Sequence, residues 1–108
     1  QRQMCIRDRI TLNLTDTFPS HEKFGLKSQI DRCSISIPSN IAEGSSRTNK
    51  SFRHFIDIAL GSSFELQTQL LLACHRQYIS EEVTTDIENK IEEFQRMTMS
   101  FQNTLGTE

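Results

Sequence analysis

Three histidines, three cysteines, a serine-rich stretch and a scatter of arginines are the residues of this 108-residue chain that could do chemistry. His21, His54 and His75 would have to serve as general bases or metal ligands. They stand far apart, with no HExxH and no ExxH pair of the kind that di-iron bundles place on facing helices. His54 and Asp57 share a helix face at i,i+3, a spacing that orients an imidazole but equally makes an ordinary surface hydrogen bond. Cys33 and Ser36 have no histidine near them in sequence to activate a nucleophile. The spacing argues against catalysis and implies neither a metal nor a cofactor.

Cys5, Cys33 and Cys74 are odd in number, widely spaced and without a CxxC. That usage fits a reducing, cytoplasmic compartment. Cys33 and Cys74 fall in apolar stripes, where a free thiol behaves as a small buried hydrophobe. Asp57 and Glu65 interrupt the most apolar stretch, so no run reaches the roughly 20 residues of a membrane span. No charged segment followed by an apolar one marks a secretory signal.

The cations that could meet phosphate are Arg32, Arg47, Lys50 and Arg53, with His54 beside them, near an expected turn between two long helices. Between Gly44 and Ile79, four cations face two anions, a balance of +2. From Ser80 onward seven anions face two cations, a balance of -5. A basic middle beside an acidic end describes either an RNA- or DNA-binding face or the polar sides of two neighbouring helices. The net charge of -2 and a pI near 5.9 are far from the footprint of a dedicated nucleic-acid binder. Any such affinity would fall steeply with salt, and the sequence displays no aromatic stacking platform to support it.

The length suits one domain with a single core. Hydrophobic content of 35%, four glycines and two prolines fit a helical chain and argue against an all-β one. Residues 1–9 (QRQMCIRDR) carry no apolar period and resemble a non-native leader, which leaves 10–108 as one helical-bundle domain. Ile10, Leu12 and Leu14 read as the end of a helix stopped at Phe18 by Pro19, although their alternation also fits a strand.

Ser20 is the expected N-cap of the next helix, with Glu22 in its first turn. Leu26, Ile30, Cys33, Ile37 and Ile41 then repeat at helical spacing until Gly44. Thr48 should cap the following helix. Its stripe runs through Phe52, Phe55, Ile56, Ala59, Ser62, Ser63, Leu66, Leu70 and Ala73, widened by Leu60, Phe64 and Leu71. Ser80 should cap the last, whose stripe is Val83, Ile87, Ile91, Phe94, Met97, Phe101 and Leu105. Short connections make sequential helices antiparallel, so the expected fold is all-α and up-down.

The stretch SISIPSNIAEGS, Ser34 to Ser45, keeps helical spacing through Pro38, which lacks the N–H for the carbonyl of Ser34 and should kink the helix. Ser34, Ser36, Ser39 and Asn40 are expected to supply polar groups there. On the facing helix Gly61-Ser62-Ser63 and Glu65 interrupt a bulky stripe. The expectation is a close helix crossing in which Pro38, Asn40 and Glu43 meet Gly61, Ser62 and Glu65, with a ligand or subunit contact as the other reading.

Phe24-Gly25-Leu26, Ser28-Gln29, Ser36 to Gly44, Ile58-Ala59, Gly61-Ser62 and Glu65-Leu66 together resemble the family of helical-bundle proteins encoded by intervening sequences in bacterial 23S ribosomal RNA genes. The likeness covers about Phe18 to Glu108. It implies an up-down antiparallel four-helix bundle, here with a truncated first helix, that assembles with itself as a homopentamer and acts as an interaction or assembly module without catalysis. A related branch is similar to the accessory variability protein of diversity-generating retroelements, which would imply nucleic-acid binding and a reverse transcriptase as partner. Two departures stand out. Asp31 takes a place where the family usually has arginine, and the first helix is reduced to Ile10 to Thr17. Three full helices shaped for a bundle of four would leave apolar faces uncovered, so this chain should be less stable than a version with the whole first helix.

Overall fold

Thr48 and Ser80 act as the two N-caps expected of them. In the computed structural model, which describes residues 15–22 and 25–106, Thr48 Oγ1 accepts the Ser51 N–H at 3.3 Å and Ser80 Oγ accepts that of Val83 at 3.1 Å. Each hydroxyl satisfies an N–H that has no intrahelical partner. The helices they open are α2 (Asn49–His75) and α3 (Glu81–Thr104), preceded by α1 (Leu26–Ser45). The described residues are all-α, without a strand. Residues 1–9 and Ile10 to Leu14 lie outside the described residues; Thr15 is helical and 1% exposed.

The start of α1 differs from expectation. Ser20–Glu22 form a 3-10 turn, and α1 begins at Leu26 after Gly25, whose lack of a side chain leaves it unable to cap. Glu22 supplies the missing acceptor from four residues back, its Oε1 taking the Leu26 N–H at 3.2 Å. The other end differs slightly too, since α1 includes Gly44 and ends at Ser45.

Pro38 sits inside α1, which continues past it. The polar side chains around it do not serve the carbonyl of Ser34 in the way the sequence suggested. Ser34 Oγ donates to the Ile30 carbonyl at 2.9 Å, and Asn40 Nδ2 donates to the Ser36 carbonyl at 2.8 Å and to Ser36 Oγ at 3.0 Å.

Pairings between helices fix their directions. Cys33 meets Glu65, Ser36 meets Ser62, and Gly44 lies against Phe52 and Phe55, so α2 numbers fall as α1 numbers rise. Likewise Gln95 meets Ser63 and Gln67 while Gln102 meets Asp57. Both neighbouring pairs are antiparallel, as short connections require. The backbones of α1 and α3 do not touch, which makes α2 the middle helix. Ile30 and Ile37 of α1, Leu66, Leu70 and Ala73 of α2, and Ile87, Ile91 and Phe94 of α3 form one core.

The buried face of α3 is turned from the one the apolar stripe suggested. Thr84, Ile87, Ile91, Phe94, Gln95 and Thr98 are buried, whereas Val83, Met97 and Phe101 are 37%, 53% and 47% exposed. Gln95 and Gln102 hydrogen-bond to α2, so a partly polar side of α3 lies inward and apolar side chains are left on a flank.

Candidate functional site

The seam between α1 and α2 is built from small and polar residues. Ser36 and Ser62 hydroxyls are 3.0 Å apart, and the Cys33 thiol donates to Glu65 Oε2 at 3.7 Å. Burial, reinforced by the Glu65 charge, pushes the Cys33 thiol above its ordinary value, so it stays protonated at neutral pH. Close approach is permitted by Gly44: a Cβ there would lie 2.8 Å from Phe52 Cδ1 and from Phe55 Cβ.

Of the six residues expected to form this crossing, the structure brings only some together. Ser62 and Glu65 contact α1. Asn40 takes part indirectly, by holding the Ser36 that meets Ser62. Pro38, two residues after Ser36, lies about 160° round the helix from it and so off the seam. Glu43 turns to Arg47 at 3.1 Å, an exposed i,i+4 pair. Gly61 is corrected most plainly, because a Cβ there would have nothing within 4 Å. The glycine that permits contact is Gly44, the residue read from the sequence only as a helix stop.

Of the four candidate phosphate-binding cations, Arg32 stands apart, while Arg47, Lys50 and Arg53 lie at the turn between α1 and α2 and in the first turns of α2. Arg32 is exposed on α1, fifteen residues before Arg47, which lies beyond the end of that helix. Arg47 pairs with Glu43 and lies over the Phe55 ring, 5.1 Å from its centroid. Lys50 is exposed at the start of α2. Arg53 Nη1 donates to the carbonyls of Gln102 at 2.9 Å and Leu105 at 3.3 Å, and so closes the end of α3. His54 is exposed, and Asp57 accepts from Gln102 Nε2 at 2.7 Å.

At the opposite end lies a cluster with no local sequence signal, because its members come from segments more than fifty residues apart. Glu22 is 7% exposed and accepts from Tyr78 Oη at 2.6 Å and Arg76 Nη1 at 2.7 Å. The Tyr78 bond, then the Leu26 N–H and Arg76, hold its carboxyl below the ordinary range, while Tyr78 is raised by that same bond. His21 Nε2 is 3.3 Å from Tyr78 Oη, and Phe18 packs on the Tyr78 ring at 5.1 Å. An open cleft of about 550 Å³ adjoins the cluster, lined by residues that include Cys74, His75 and Glu81. Among the described residues no three His, Cys, Asp or Glu side chains converge as a metal site would require.

The outer side of α2 presents a different surface. Ile58, Phe64, Leu71 and Leu72 are 40%, 51%, 52% and 39% exposed. With Gly61 and Thr68 they recur every three or four residues, the period of one helix side. None of these four apolar side chains belongs to the core shared with α1 and α3. An apolar helix face in water marks a contact surface more often than chance exposure does.

No helix among the described residues is long and apolar enough to cross a membrane. No curated protein matches the chain. A crystal structure of a protein of unknown function from the S23 ribosomal protein family of Bacteroides thetaiotaomicron is similar to it with a TM-score of 0.87 and 25% identity, over 95% of this chain and 97% of that one. The family model described as 23S rRNA-intervening sequence protein matches residues 1–100. The chain therefore belongs to the 23S rRNA-intervening sequence protein family.

Proposed function

We propose that this protein is a non-enzymatic assembly module that works as a homo-oligomer through the outer face of α2. The observation that carries this reading is the exposed apolar row Ile58, Phe64, Leu71 and Leu72 on a helix whose inner side is already filled by the core. Covering such side chains stabilises an association by about 25 cal/mol per Å² of apolar surface, before the entropy of association is subtracted. The dispersion of the histidines and the commitment of Arg53 and Glu22 to structural bonds support a role in contact over one in chemistry. A buried, protonated Cys33 suits a reducing, cytoplasmic setting.

The test is the mass in solution of the wild-type chain at micromolar concentration, by light scattering or sedimentation. A mass several times that of one chain is expected, with five copies the number the family resemblance implies. A monomer at that concentration overturns the reading. Leu71→Glu, at a 52% exposed position that leaves the core untouched, should reduce the assembled fraction at least tenfold.

A further inference from the structure

We infer that the contact between copies is asymmetric, with Ile35 of one chain entering the notch over Gly61 of the next. This rests on the homo-oligomeric reading and names the two surfaces that meet. Gly61 stands within the outer row of α2 with nothing within 4 Å of where its Cβ would be, so the row has a gap flanked by Ile58 and Phe64. Such a gap admits a side chain from a second helix and brings the two backbones close.

The outer side of α1 has the matching shape and charge. Ile35 is 51% exposed and stands among Arg32, Ser39 and Ala42, all exposed and within two turns. It is a single aliphatic projection on an otherwise small and polar helix side. Glu65 stands one turn after Gly61 and is exposed, its carboxylate holding one thiol contact. Arg32 stands one turn before Ile35. Laid antiparallel, with Ile35 over Gly61, the two helices bring Arg32 to Glu65, an opposite-charge pair that sets the direction of packing. Ser39 and Ala42 then offer no bulk against the approach of α2.

The two surfaces are on different helices, α1 and α2, so one chain uses both. The contact is heterologous and generates a ring or an open series, unlike a two-fold dimer. That property makes the test specific. Gly61→Leu fills the notch at a position with open space around it, and Ile35→Asp removes the projection at an exposed position; both chains keep the fold. Each variant keeps one intact half of the contact.

The masses of wild type, of each variant alone and of their equimolar mixture are measured at micromolar concentration, with far-ultraviolet circular dichroism confirming helicity. The inference expects an assembled wild type, monomers for each variant alone, and a single 1:1 dimer on mixing. An assembled wild type with either variant still assembled overturns the pairing of Ile35 with Gly61 and leaves the homo-oligomeric reading standing. Monomeric variants that do not dimerise on mixing overturn it as well. A monomeric wild type overturns both.

Discussion

Arg53 and Gln102 hold each other's main chains. Arg53 Nη1 donates to the Gln102 carbonyl at 2.9 Å, and Gln102 Nε2 donates to the Arg53 carbonyl at 2.9 Å. The guanidinium also reaches the Leu105 carbonyl, and the Gln102 amide also reaches Asp57. One reciprocal contact thus ties the first turns of α2 to the last turn of α3, where the Gln102 carbonyl accepts from both Arg53 and the Leu105 N–H.

Arg53→Ala should therefore lower stability by about 1–2 kcal/mol, the range for hydrogen bonds from a charged donor at a partly exposed site. Amide exchange should quicken most near the end of α3. Arg53→Lys discriminates between roles, since an ammonium keeps the charge a phosphate would need but cannot reproduce the forked contact. Equal stability and exchange in the lysine variant and the wild type would remove the structural role argued for this arginine.

The two glycines at which the helices differ give a paired prediction. At Gly44 an added Cβ meets Phe52 and Phe55 at 2.8 Å, one contact being a Cβ that cannot swing aside. Gly44→Ala should cost about 1–3 kcal/mol through overpacking, despite the better helix propensity of alanine. At Gly61 the space is open, and Gly61→Ala should raise stability by about 0.5–1 kcal/mol. Urea unfolding of both variants, at dilution where the chain is monomeric, checks the signs; the same sign at both positions would contradict the placement of the seam.

Glu22 and Tyr78 make stability depend on pH at both extremes. The folded carboxyl titrates below its ordinary 4.5, chiefly because Tyr78 donates to it. Its contribution is present above pH 4.5 and is lost as pH falls through the lower folded value. Tyr78 titrates above its ordinary 10.0, because Glu22 accepts from its neutral form. That contribution is present below pH 10 and is lost as pH rises through the higher folded value. Thermal midpoints of wild type and Glu22→Gln, followed from pH 2 to 11, should converge at the acid end and separate at neutral pH. A constant gap across the acid range would mean the carboxylate charge does not matter.

The parts of this fold legible in the sequence are those governed by neighbours along the chain. Thr48 and Ser80 bond to N–H groups three residues on, and Leu26, Ile30, Cys33 and Ile37 share a face by helical spacing alone. The family resemblance was legible for the same reason, since its signature lies within continuous helices. What stayed hidden depends on partners distant in sequence. Glu22 caps α1 while binding residues beyond α2, and Arg53, a candidate phosphate ligand by sequence, bonds to the end of α3. The end of α2 hid differently: Gln77 takes the left-handed conformation, at φ 66°, where glycine usually gives the signal. The Tyr78 N–H bonds to the Ala73 carbonyl and closes the helix without it.

Cys33 and Cys74 should separate cleanly by reactivity. Only the thiolate attacks an alkylating reagent, and burial holds the Cys33 thiol protonated as well as out of reach. Cys74 is half-buried and lines the open cleft beside the turn between α2 and α3. Brief iodoacetamide treatment at pH 8, with peptides mapped by mass spectrometry, should label Cys74 at least about tenfold faster than Cys33. In urea the two rates should become similar, because the difference belongs to the fold. Cys33→Ala keeps the packing close to intact but removes the thiol that meets Glu65, so its effect on stability should be smaller than that of Gly44→Ala. Fast labelling of Cys33 in the folded protein would mean that the seam between α1 and α2 opens readily, and the close approach at Gly44 could not then be a standing contact.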